Sequence, residues 1–224
     1  MSKVKSKKKF KHPKRVYIMR RIFVLAILLI IISLIGLFGK MIFNEIKSIR
    51  KIYNVQVRNE KIEELKLNLN IKEKSYEWAE KLVFLNNPEK IIIHHAAIKN
   101  IDADTIHKMH QEKGWSGIGY HYFIDKSGNI YEGRPEGAIG AHAYKNNQNT
   151  LGICLEGNFE EELIEDKQYE SLIELLKYLV LKYPINDIKG HNDVVDTLCP
   201  GKNINKNKIK EDLIKEIRKI NLPD

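Results

Sequence analysis

One short stretch, Gly190 to Gly201, holds the residues best suited to chemistry. It places the imidazole of His191 and the thiol of Cys199 in a single loop closed by Pro200 and Gly201. Both are good ligands for a borderline-soft metal such as zinc. Two ligands do not complete a site, so a third must come from elsewhere. The best donor lies far upstream, in Ile91-Ile92-Ile93-His94-His95. A β-branched apolar run leading into histidine reads as a buried strand that ends at a site. Neighbouring residues on a strand point to opposite faces, so only one of His94 and His95 serves as ligand, and periodicity alone does not choose. Three protein ligands leave a fourth zinc position open for water, which is the catalytic arrangement.

Other polar residues have plainer readings. His107 and His110 fall on a predicted helix and are expected on its solvated face. His142 sits in a Gly/Ala-rich loop, either lining a groove or playing a local structural role. Glu132 and Glu156 offer carboxylates, but nothing in the sequence brings them to the metal ligands. Asp193 reads as a loop cap. No glutamate stands in a His-Glu-x-x-His helix, which excludes a thermolysin-type arrangement. The other cysteine, Cys154, lies in an apolar run and reads as a small buried hydrophobe. A Cys154–Cys199 disulfide is the rival in an oxidising compartment.

The elements that must hold these residues alternate in type. A strand at 90–95 follows the Asn86-Asn87-Pro88 turn. Asp102 or Asp104 caps a helix running through Lys113 and ended by Gly114. Tyr120 to Ile124 and Ile130 to Gly133 form a hairpin across Asp125 to Asn129, and Leu151 to Glu156 is another strand. The same parity argument sends Tyr120 and His121 to opposite faces. Tyr169, Leu172, Ile173, Leu176, Leu179 and Val180 mark an amphipathic helix ended at Pro184. Ile188 to Gly190 is a short strand feeding the His191 loop, and Ile209, Leu213, Ile217 and Ile220 mark a last helix. The expected fold class is α/β (α+β): a single domain with a central mixed β-sheet flanked by helices, preceded by an N-terminal transmembrane helix.

Charge and hydropathy divide the 224 residues further. The formal charge is +9, yet residues 1–21 carry ten Lys/Arg and no acid, leaving 28 basic against 29 acidic residues beyond them. The basicity therefore belongs to a tail, not to the fold, which argues against a nucleic-acid partner. Residues 22–39 carry no charge and are just long enough to span a bilayer, with Met41-Ile42-Phe43 beyond Lys40. A cleaved signal peptide is the rival, but no small-x-small site follows Leu34. The expected organisation is a basic cytoplasmic tail at 1–21, a membrane anchor at 22–43, a stalk or linker at 44–75 and a zinc-binding domain at 76–224. The positive cluster keeps the N-terminus cytoplasmic and places the domain outside the cell, on a single-pass membrane protein.

Several separated motifs agree in order: His94, Gly114-Trp115-Ser116-Gly117-Ile118-Gly119-Tyr120-His121-Tyr122, Gly128 to Pro135, Gly140-Ala141-His142-Ala143, Asn149 to Ile153, and His191 with Thr197-Leu198-Cys199-Pro200-Gly201. Over roughly residues 75–220 this resembles the type-2 N-acetylmuramoyl-L-alanine amidase family. The resemblance implies a zinc enzyme that hydrolyses the amide between N-acetylmuramic acid and L-alanine in bacterial peptidoglycan. It implies His94, His191 and Cys199 as ligands of Zn2+, with Tyr120 and Thr197 as catalytic hydroxyls. Thr197 stands where members carry threonine or lysine, and Asn192 departs from the arginine common after this histidine. His142, Arg134 and Trp115 are the expected substrate contacts along a glycan groove. The alternative is a module that binds peptidoglycan or muramyl peptides without cutting them; relatives of that kind have lost a zinc ligand.

Overall fold

The computed structural model describes residues 14–220, so the expected basic tail lies outside the described residues over 1–13. Two compact units divide the chain, Met1–Val55 and Gln56–Asp224. A helix, α1 (Lys14–Leu69), begins in the first and ends in the second. In the first unit its apolar side chains, from Ile22 to Phe43, are exposed on every side. A soluble helix would bury one apolar stripe, and this one has no polar face to oppose it. It is long and apolar enough to cross a membrane.

The second unit is built on a five-stranded sheet. Its elements are β1 (Lys90–His95), α2 (Ala103–Glu112), β2 (Tyr122–Ile124), β3 (Ile130–Glu132), β4 (Thr150–Leu155), α3 (Asp166–Lys182), β5 (Asp187–Gly190) and α4 (Lys206–Arg218). The spatial order is β3-β2-β4-β1-β5. β1 pairs in parallel with β4 and β5, β2 in parallel with β4, and only the edge strand β3 is antiparallel. The mixed sheet and flanking helices are those expected from the sequence. Asp102 is the N-cap of α2, its Oδ1 accepting from the Thr105 N–H at 2.7 Å. The β2–β3 turn is closed by Asp125, whose Oδ1 accepts the Asn129 N–H at 2.8 Å. Strand β2 is shorter than expected: Tyr120 and His121 precede it, although the His121 N–H still donates to Gly152 O at 2.8 Å.

Strand parity sorts the core into two layers. Ile91, Ile93, Leu151, Ile153 and Leu155 face α3 and α4 in the larger cluster. Phe123 and Cys154 face the other way, toward Ala103 and Ile106 of α2 and toward Ile118. Both faces are covered near the middle of the sheet, which is why β1 and β4 read as near-continuous apolar runs.

The folded unit also takes in the last part of the expected stalk. Leu65, only 5% exposed, joins the larger cluster, and Ile62, Leu69 and Ile71 pack beside it. Arg58 donates through Nε and Nη2 to Leu181 O at 2.9 and 2.6 Å, satisfying a carbonyl in the last turn of α3. Lys72 then bonds to β3, its N–H donating to Ile130 O and its carbonyl accepting from the Glu132 N–H. Among the lysines and glutamates of residues 58–69, Ile62, Leu65 and Leu69 make a narrow apolar stripe. Leu65→Ala is expected to destabilise the unit by about 2–5 kcal/mol, the usual cost of truncating a buried leucine. A denaturant midpoint that does not move would show the α1 end to be dispensable.

Candidate functional site

His94 sits on β1 with the parity of Ile92, opposite to Ile91 and Ile93, and pairs in register with Cys154. It is therefore held on the α2 side of the sheet, where it is 1% exposed. His191 opens a short 3-10 turn, His191–Asp193, directly after β5. Because Gly190 is in register with Ile93, the parallel pairing brings His191 beside His94, with ring centroids 4.4 Å apart. The loop then folds back: the Asn192 N–H donates to Cys199 O at 2.8 Å, and the Gly190 N–H donates to Asp193 Oδ2 at 2.8 Å. Lys206, in the first turn of α4, bonds the Asn192 and Asp193 side chains and braces the turn. Asp193 is thus the cap that its place in the loop suggested.

This folding brings one donor atom each from His94, His191 and Cys199 within 4.8 Å of one another. Cys199 Sγ lies 3.7 Å from His94 Nδ1 and accepts the His95 N–H at 3.3 Å. Burial, and then the neighbouring His191, hold the His94 imidazole well below its ordinary pKa. Burial also lowers His191. Burial pushes the Cys199 thiol up to about 12, against the opposing His95 N–H, so it ionises only beside a cation. Two neutral imidazoles and such a thiol are the donor set of a zinc site. His191 Nε2 adds to the fit, since it is buried with no hydrogen-bond partner.

Tyr120 stands next to this cluster, its ring 5.0 Å from that of His94. Burial, with the Cys154 and Cys199 thiols, raises its pKa well above the ordinary value, so it remains a donor. Thr197 Oγ1 accepts the Cys199 N–H at 3.2 Å, inside the loop that carries the two donors. Both cysteines are free thiols.

The expected groove contacts fall out differently. Trp115 is 41% exposed, its ring tilted against that of His110 at 4.6 Å between centroids and Lys113 Nζ 5.9 Å from its own centroid. Arg134 is not: it is 7% exposed, with Nε donating to Ile118 O at 3.1 Å and Nη1 to Ile139 O at 2.9 Å. It ties together the segment before β2 and the loop after β3. His142 is also 7% exposed and lies behind His94, its Nδ1 3.0 Å from His94 Nε2. The sequence left a structural role open for it, and its partner is the signal that spacing did not supply.

His107 and His110 are likewise buried, not solvated. Residues 76–79 lie across α2, so Tyr76 stacks on His107 at 4.6 Å, and His107 Nε2 meets Glu77 O at 3.1 Å. His107 Nδ1 accepts the Ile118 N–H, and His110 Nδ1 accepts the Gly119 N–H. His121 links the middle of β4 to the loop after β3, accepting the Gly152 N–H at Nδ1 and meeting Ala138 O at Nε2. His95 Nδ1 accepts the Phe159 N–H at 3.1 Å. Glu156 Oε2 accepts the Lys126 N–H, and Glu132 lies on β3, the strand farthest from β5.

A mixed α/β sheet carries a His–His–Cys cluster beside a half-buried tyrosine, a donor set of the kind that catalytic zinc sites use. The chain belongs to the N-acetylmuramoyl-L-alanine amidase family, whose model matches residues 85–202. It is 36% identical over 120 residues to the endolysin of Enterobacteria phage T3, covering 50% of this chain and 80% of that protein. It is 36% identical over 124 residues to peptidoglycan-recognition protein LB of Drosophila melanogaster, covering 50% of this chain and 53% of that protein. Among solved structures, the endolysin amidase LysCS from Clostridium intestinale superposes with a TM-score of 0.64 at 46% identity, covering 65% of this chain and 95% of that one.

Proposed function

We propose that the protein is a zinc-dependent amidase that cuts the bond between N-acetylmuramic acid and L-alanine in bacterial peptidoglycan. The observation that carries this reading is the convergence of donor atoms from His94, His191 and Cys199 within 4.8 Å. These three residues would hold the metal. Zinc, when bound, lowers the pKa of water and polarises the scissile carbonyl. Tyr120 and Thr197 donate hydroxyl hydrogen bonds to the charge that grows on the carbonyl oxygen during attack. Trp115, which is exposed, contacts substrate, while Arg134 and His142 act from inside the fold through their buried hydrogen bonds.

Activity is tested on the purified full chain with intact peptidoglycan. Free stem peptide should be released, chelator should stop the release, and zinc should restore it. Binding to peptidoglycan without any release would instead favour the muramyl-peptide recognition reading.

In the same reading, residues 22–43 anchor the chain in the cell membrane and the catalytic unit lies outside. The basis is the uncharged apolar run behind ten basic residues. Protease added to protoplasts should remove the region from 76 onward and leave a tag placed near residue 1 protected. A protected catalytic unit would overturn this orientation, and a mature chain starting after residue 39 would show a cleaved leader instead.

A further inference from the structure

The geometry points to a hydrogen-bond chain, His94–His142–Thr150, that fixes which nitrogen of His94 faces the metal site. This rests on the proposed ligand set and adds a positioning role for two residues outside it.

Thr150 sets the direction of every proton in the chain. Its Oγ1 lies 2.8 Å from Asn146 O and 3.1 Å from Asn147 O. Carbonyl oxygens only accept, so the single hydroxyl proton is committed to them. The same Oγ1 lies 3.3 Å from His142 Nε2 and has only lone pairs left to offer it. His142 must therefore carry its proton on Nε2. Its Nδ1 is then an acceptor, 3.0 Å from His94 Nε2. His94 donates from Nε2, which leaves the Nδ1 lone pair free on the side where Cys199 Sγ lies 3.7 Å away. Metal-ligating histidines commonly hold their tautomer through such an outer bond. Here the acceptor is another imidazole, itself polarised by a threonine.

The slot for the His142 ring is built for it. A Cβ on Gly152 would lie 2.6 Å from His142 Cγ, and one on Gly140 would lie 2.4 Å from His142 Cδ2. Asn147 Oδ1 accepts the N–H groups of both His142 and Ala143, at 2.8 and 2.7 Å, fixing the backbone. The glycines and Asn147 thus hold the ring where only one pattern of donors and acceptors closes.

The test uses the full chain in detergent. Zinc affinity, measured by chelator competition, should fall about 10–100-fold in Thr150→Val, the usual cost of losing an outer partner, and should recover in Thr150→Ser. Ring-nitrogen NMR of the wild type needs no variant and should show both His94 and His142 protonated at Nε2. Unchanged affinity in Thr150→Val, or a His142 proton on Nδ1, overturns the chain while leaving the zinc reading intact. A wild type that takes up no zinc overturns the metal reading, and the ring-nitrogen spectrum of that same protein then judges the hydrogen-bond chain by itself.

Discussion

Cys199→Ser is expected to come through purification without stoichiometric zinc and without amidase activity. The substitution trades a thiolate for a neutral hydroxyl at a position where burial already opposes charge. A hydroxyl is a weak ligand for zinc, and it brings no charge to offset the ion. The loss of affinity should exceed the roughly 10–100-fold typical of an outer partner, because a direct ligand is removed. The fold should survive, since Cys199 sits in a loop whose closing bonds use backbone atoms: Asn192 N–H to Cys199 O, and Gly201 N–H to Leu198 O. Metal analysis and peptide release on the same sample are the measurements. A Cys199→Ser protein that holds zinc at full occupancy and turns over normally would remove this residue from the site.

Tyr120→Phe should keep its zinc and lose about 10²–10³ in kcat, the typical effect of deleting one donor to a developing oxyanion. The phenol is proposed to stabilise charge that exists only along the reaction path, so KM should change far less than kcat. Thr197→Ala separates two roles. If its hydroxyl acts on the same oxyanion, the double variant should fall short of the product of the single effects. If its work is the bond to the Cys199 N–H, zinc and rate should fall together. Zinc content and single-turnover rates measured in parallel distinguish these outcomes.

The elements that present this site were legible because their signals are local. The isoleucine run, the i, i+3, i+4 pattern of α3 and the Asp125–Asn129 turn each depend on residues close in sequence. Parity separated His94 from His95, and the two side chains do serve different surroundings. What the sequence did not reveal lies in packing across distance. His107 and His110 looked solvated because the padding over α2 comes from residues 76–79, thirty residues earlier in the case of His107 and Glu77. Arg134 reads from sequence as a groove contact because no local pattern announces that its acceptors are the carbonyls of Ile118 and Ile139. His142 needed Thr150 and His94 in place before its role could be read. The end of α1 was missed because one buried leucine among lysines and glutamates carries almost no periodic signal.

That leucine also sets where the chain can be cut without loosening the folded unit. With Leu65 in the core and Arg58 capping α3, a cut in the segment before Gln56 liberates a unit that keeps all its own bracing. A cut after Leu69 strips away the Leu65 and Arg58 contacts and leaves apolar surface uncovered. A protease cutting before Gln56 should therefore leave the folded unit at full stability, whereas one cutting after Leu69 should lower its denaturation midpoint.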